Sequence, residues 1–293
     1  MGCYLSTSCF GRSYVADAIR RAHEIAPYRV EISAPHHHQP LDELEDILAD
    51  FRAKGYGLTL HNYFPAPADP FVLNMAAEDD AGRSRSTELV EGALRLATAA
   101  GAPLYGIHAG YLARADAEAD GHFRFDDEMS SYAEALDRAV AFVNRTAPEF
   151  EARGVRFLVE NLFPSPKKRH SLFCTLDEIR EYMAQVPASV GVLLDLGHLN
   201  VSSTVMGFDR DAFIDGYLDA FADRLAEVHI SENRGIKDEH LAVKPGSWQL
   251  DALSRIHATQ PAFGVPRVYC VEARNADDDE LRHGIALVDE IVA

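Results

Sequence analysis

The 293-residue chain reads as a single (β/α)8 barrel, residues 1–293, that works at the C-terminal ends of its strands. Three observations predict this. Short β-rich runs alternate with longer helical patterns over the whole length. There are eight of each. The long connections follow strands, whereas those on the other face are short. Regular alternation implies parallel strands joined by right-handed crossovers. Eight such units in a chain of this length fit a closed barrel better than an open sheet.

Taken in order, the strands are expected at residues 3–6, 29–33, 58–61, 104–108, 156–160, 191–195, 226–230 and 267–272. Helices are expected between them, at residues 13–25, 41–54, 86–100, 127–153, 176–185, 209–224, 249–259 and 278–292. The third helix shows the pattern clearly. Leu89, Ala93, Leu94 and Ala97 line one face, and Ser86-Thr87-Glu88 offers capping oxygens with an acidic first turn. The connections 62–85, 109–126, 161–175 and 231–248 are long and follow strands, while Gly101-Ala102-Pro103 is short. The long loops therefore gather on the face where barrels build their active sites.

Composition narrows the class. Hydrophobic residues make up 47% and charged residues 25%, an ordinary globular balance. No apolar run reaches the roughly 18 residues needed to span a bilayer. The start, Met1-Gly2-Cys3-Tyr4-Leu5-Ser6, lacks the basic and apolar regions of a secretory signal. Four cysteines without a C-x-x-C pair fit a reducing compartment, so a cytoplasmic location is expected. Cys3 and Cys270, on the neighbouring first and last strands, are expected to be core thiols. The net charge, 28 − 46 = −18, repels polyphosphate, so nucleic acid is not an expected partner. A small molecule is, and a homo-oligomer is compatible with the sequence.

The later strands end in a common way. The third ends Leu60-His61-Asn62 and the fourth Gly106-Ile107-His108. The fifth ends Val159-Glu160-Asn161. The sixth ends Asp195-Leu196-Gly197-His198, where Gly197 permits a sharp turn that returns His198 to the rim. The seventh carries His229, and its loop carries Asp238 and His240. The eighth ends in Glu272. Six consecutive strands thus deliver an imidazole or a carboxylate to one rim, each after apolar residues. A charge so placed is costly unless it is paired or binds a cation. Mn²⁺, Zn²⁺, Co²⁺ and Fe²⁺ accept this donor set. His36-His37-His38 follows the second strand, but three adjacent side chains cannot all point one way.

With these residues in this order, the chain resembles the xylose-isomerase-like TIM barrel superfamily. That superfamily contains sugar and sugar-phosphate isomerases and epimerases, and also endonuclease IV. The resemblance to the epimerases implies one divalent ion held by Glu160, Asp195, His229 and Glu272. The resemblance to endonuclease IV implies three zinc ions on His61, His108, Glu160, Asp195, His198, His229, Asp238, His240 and Glu272. Both sets are complete, so one to three ions per chain are expected.

Basic residues in the rim loops stand out against the acidic background: Lys167, Lys168, Arg169, Arg234, Lys237 and Arg274. They predict an anionic small substrate. Phe64 and Trp248 are candidate apolar walls. The expected reaction is isomerisation or epimerisation of a sugar or sugar phosphate through a metal-stabilised enediolate, with Glu160 and Glu272 moving the proton. The alternatives are a multinuclear hydrolase of a small phosphoester and a multi-iron enzyme on the same ligands.

Overall fold

A computed structural model of the chain describes residues 2–117, 123–165, 168–259 and 266–292. Its barrel strands are β1 (Tyr4–Ser6), β2 (Arg29–Ile32), β3 (Gly57–His61), β4 (Leu104–His108), β7 (Arg156–Glu160), β8 (Gly191–Asp195), β9 (Leu225–Ile230) and β10 (Val268–Val271). Their spatial order is β1-β10-β9-β8-β7-β4-β3-β2, closed, with every neighbouring pair parallel. The predicted barrel is therefore the observed one. A short antiparallel pair, β5 (Ala115–Ala117) and β6 (Phe123–Phe125), decorates the loop after β4.

Helices α1 (Val15–Ile25), α2 (Leu41–Ala53), α3 (Asp80–Ala100), α4 (Tyr132–Ala152), α5 (Leu176–Met183), α7 (Arg210–Phe221), α8 (Trp248–His257) and α9 (Asp278–Val292) occupy the expected places. α3 starts earlier than its apolar stripe predicts, because the Asp79 side chain accepts from the Gly82 amide and caps the added turn. α4 starts later, at a reciprocal capping box of Ser131 and Glu134.

One helix departs from expectation. α6 (Leu196–Met206) begins directly at the end of β8. The predicted turn at Gly197 does not exist. Asp195 is instead the N-cap, its Oδ1 accepting from the His198 amide at 2.6 Å. Gly197 is needed for space: a Cβ there would lie 2.8 Å from Ser231 Oγ and 3.1 Å from its carbonyl oxygen.

Most of the core joins the outer faces of the strands to the helices, through residues such as Ile19, Leu48, Val90, Val143 and Ile214. Leu104, Leu158 and Leu193 form a separate small cluster with Ala226 and Val268. Side chains alternate across a strand, so Leu158 shares its face with Glu160, and Leu193 shares its face with Asp195. The small cluster thus lies beneath the polar rim. All four cysteines are buried and free. No described helix is long and apolar enough to cross a membrane.

Candidate metal centre

Parallel register builds the centre from the strands. It sets His108 beside Glu160 across β4 and β7, and Asp195 beside His229 across β8 and β9. The loop after β9 is folded back by reciprocal backbone hydrogen bonds between Glu232 and Leu241, which brings Asp238 and His240 over the mouth.

Glu160 sits in the middle. Its Oε2 lies 3.4 Å from His61 Nε2 and 3.4 Å from His108 Nε2. Its Oε1 lies 3.3 Å from His198 Nδ1 and 3.9 Å from His229 Nδ1. His229 Nδ1 also lies 3.8 Å from Asp195 Oδ2 and 3.4 Å from Glu272 Oε2. A third group stands alongside, with Asp238 Oδ2 at 3.6 Å from His198 Nε2 and 2.5 Å from His240 Nε2.

These donors fit divalent cations. Both oxygens of Glu160, Oδ2 of Asp195, Oδ1 of Asp238 and Nδ1 of His229 are buried without a hydrogen-bond partner. Such groups are costly to bury, and a cation among them removes the cost. The ligand atoms of His61, His108 and Glu160, and those of Asp195, His229 and Glu272, lie within 4.8 Å of one another in each group.

Hydrogen bonds on the far side of the rings fix which nitrogen is free. His198 Nδ1–H donates to the Asn161 carbonyl at 2.8 Å, and His240 Nδ1–H donates to the Glu272 carbonyl at 2.7 Å. Both rings therefore offer Nε2, and the close approach of His198 Nδ1 to Glu160 is not a ligand position. His108 Nδ1 pairs with the Tyr111 hydroxyl at 2.8 Å, again leaving Nε2. His229 is reversed: its Nε2 meets Glu31 Oε2 at 2.8 Å, leaving Nδ1.

The family model described as "Xylose isomerase-like TIM barrel" matches residues 19–291. The chain belongs to that family. Among solved structures, this xylose isomerase-like barrel is similar to a D-tagatose 3-epimerase-like protein, with TM-score 0.74, 19% identity and 100% of each chain covered. It is also similar to 3-keto-D-glucoside 4-epimerase from E. coli, with TM-score 0.66, 15% identity and 98% of each chain covered. At these identities the likeness is one of fold. An uncharacterized protein of Methanocaldococcus jannaschii, MJ1614, is 25% identical over 174 residues, which span 59% of this chain and 57% of that relative.

Charge in this family member's centre is unevenly distributed. Burial drives Glu160 up to about 8, against the pull of His198 and His229. Burial also acts to raise Glu272, but Arg274, His229 and His240 hold it well below the usual carboxylate range. Burial pushes His61 down and takes His108 to about 3. Burial works to lower His198 too, yet Asp195, Asp238 and Glu160 lift it to about 10.

The predicted rim cations are mostly occupied elsewhere. Lys168 pairs with Asp127, Arg169 with Glu178, and Arg234 with Glu239 at 2.9 Å. Lys237 is exposed, and Lys167 lies outside the described residues. Arg274 alone of the described set reaches the centre, touching His240 Nε2 and lying 3.8 Å from Glu272 Oε1. Phe64 is 0% exposed and packs edge-on to His36, so it belongs to the core. Trp248 lies under the Arg210 guanidinium, with 4.3 Å from cation to ring. His36 is buried against Thr7 Oγ1, His37 packs at a tilt against Tyr14 and His38 bonds the Ala66 carbonyl. Sequence reading missed Glu31 and Glu227, two buried acids below the rim. Their one signal was an acid flanked by two apolar residues inside a strand.

Proposed function

We propose that the protein is a divalent-metal-dependent isomerase or epimerase of a small hydroxylated carbonyl compound, a sugar or sugar phosphate. One observation carries this reading. Glu160 and Glu272 approach the same atom, His229 Nδ1, at 3.9 and 3.4 Å, yet their surroundings push them in opposite directions. Paired carboxylates with divergent proton affinities are the usual means of removing and returning a proton. The fold neighbours named as sugar epimerases support the same chemistry.

His61, His108, Glu160, Asp195, His198, His229, Asp238, His240 and Glu272 would hold between one and three ions of Mn²⁺, Zn²⁺, Co²⁺ or Fe²⁺. A bound ion supplies Lewis-acid stabilisation of the oxyanion left when a carbon-bound proton departs. Glu272, kept ionised by Arg274 and its imidazole neighbours, takes that proton. Glu160 returns one from the other side. Arg274 is the cation placed to meet a phosphate or carboxylate on the substrate.

The test is exchange in D2O. Chain loaded with Mn²⁺ or Zn²⁺ is incubated with a panel of ketoses and ketose phosphates. Incorporation of solvent deuterium at the carbon next to the carbonyl, without phosphate release and abolished by chelator, is expected. Phosphate release without deuterium incorporation would overturn the reading.

A second reading has its own observation. His61, His108, His198, Asp238 and His240 all converge, although four ligands already suffice for a single ion. A multinuclear hydrolase of a small phosphoester uses such a set to activate water. It predicts three ions per chain, and the −18 net charge argues against DNA as its substrate.

A further inference from the structure

We propose that Glu31 is a positioning residue for the metal centre: its carboxylate holds the His229 ring so that Nδ1, rather than Nε2, faces the bound ion. The proposal rests on the metal-dependent reading above.

The geometry is specific. Glu31 comes from β2, well around the barrel from β9, and both side chains are fully buried. His229 Nε2 and Glu31 Oε2 are 2.8 Å apart, a charge-assisted hydrogen bond. The opposite ring edge carries Nδ1, which faces three carboxylates and has no hydrogen-bond partner. The other centre imidazoles with a visible anchor, His108, His198 and His240, are held through Nδ1 and present Nε2. His229 presents the other atom because its anchor lies on the other edge. Turning the ring over would strip Glu31 of its donor, and its second oxygen, Oε1, is already without one.

Core stability does not explain this arrangement. Glu227 reaches Glu31 from β9, and neither of its carboxyl oxygens has a donor other than that acid among the described residues. Two buried acids in contact beneath a rim are an expensive way to fill a barrel, and apolar side chains would fill it better. A carboxylate on the far nitrogen of a ligating histidine fixes its tautomer and raises the basicity of the coordinating nitrogen. Glu31 has the placement for that task.

The test uses the full chain and zinc. Affinity is measured by chelator competition for wild type, Glu31→Gln and Glu31→Ala. Circular dichroism of the metal-free forms checks folding. Histidine ¹⁵N spectra of zinc-loaded wild type show which His229 nitrogen carries the ion. Glu31→Gln is expected to weaken zinc binding about 10- to 100-fold, and Glu31→Ala at least as much, with the fold retained. The wild-type spectrum is expected to show Nδ1 bound and Nε2 protonated. Folded variants that bind zinc within about threefold of wild type would overturn the proposal. So would a wild-type spectrum with Nε2 on the ion, and that measurement decides the matter if neither variant folds. A wild type that binds no zinc, manganese, cobalt or iron would instead sink the metal-dependent reading itself.

Discussion

His61 Nε2 and Glu160 Oε2 stand 3.4 Å apart in the barrel mouth, and neither side chain has appreciable solvent contact. No donor satisfies either oxygen of Glu160. A carboxylate held this way is poised for cations and contributes nothing favourable to an empty site. Glu160→Gln is therefore expected to lower metal content and to cut proton-exchange activity by about 10²- to 10⁴-fold. The metal-free variant should melt at or above the wild-type temperature, because a strained buried acid has been removed. Metal analysis and calorimetry check this. A metal-free variant that melts well below wild type would mark Glu160 as a structural group.

Burial of Glu160, and the carboxylates around His198, make the metal-free protein sensitive to alkali. Glu160 rises to about 8 and His198 to about 10, both above their unfolded values of about 4.3 and 6.5. A group whose folded value is raised binds more protons in the native state. Its stabilising contribution is complete below the unfolded value and is gone above the folded one. Burial lowers His61 and His108, which works the other way up to about pH 6.5, so the melting temperature of metal-free protein should fall from about pH 7 to about pH 10. Bound metal replaces these protons, so the loaded form should hold its melting temperature better over that range. Thermal melts at several pH values, with and without zinc, measure the difference. A metal-free melting temperature that climbs between about pH 7 and pH 10 would contradict the assignment.

Much of this centre could be read from the chain. The strand ends were legible because an imidazole or acid after an apolar run marks both the end of a strand and the face it reaches. Parallel register then leaves His108 and Glu160 little choice but to be neighbours. α6 was not legible, because Leu196 to Ser203 is buried on every side and shows no helical periodicity. Glu31 was hidden for a related reason: an acid between Val30 and Ile32 reads as noise until its partner on β9 is known. The basic loop residues misled because charge type says nothing of pairing. Lys168, Arg169 and Arg234 each found a carboxylate that no spacing rule connects to them.

Under the proposed function, Arg274 is the cation that would meet substrate charge. Its guanidinium touches His240 and lies near Glu272. Arg274→Met should raise KM for a phosphorylated or carboxylated substrate about 10- to 100-fold, the worth of a hydrogen bond to a charged group. KM for an uncharged analogue should change little. Steady-state kinetics on a matched pair of substrates decides. Equal rises in KM on both members of the pair would leave Arg274 only its role in keeping Glu272 ionised.

Gly106 gives a test of how tightly the barrel interior supports the first ligand group. It lies two residues before His108 and opposite His61 in the β3–β4 register. A Cβ added there would sit 2.8 Å from Leu193 Cδ1 and 2.9 Å from His61 Nδ1. Both distances are below van der Waals contact. Leu193 is fully buried in the small inner cluster, so it has little room to yield. His61 is also buried, and its displacement would carry Nε2 away from Glu160. Gly106→Ala should cost about 1–3 kcal/mol in stability through overpacking. It should also weaken any ion bound at His61, His108 and Glu160 more than any bound at Asp195, His229 and Glu272, none of which is among the atoms nearest the new methyl. Melts and zinc titrations of the same variant report the two effects separately. If stability falls while every ion binds as before, Leu193 has absorbed the methyl group and His61 is not held by the packing around Gly106.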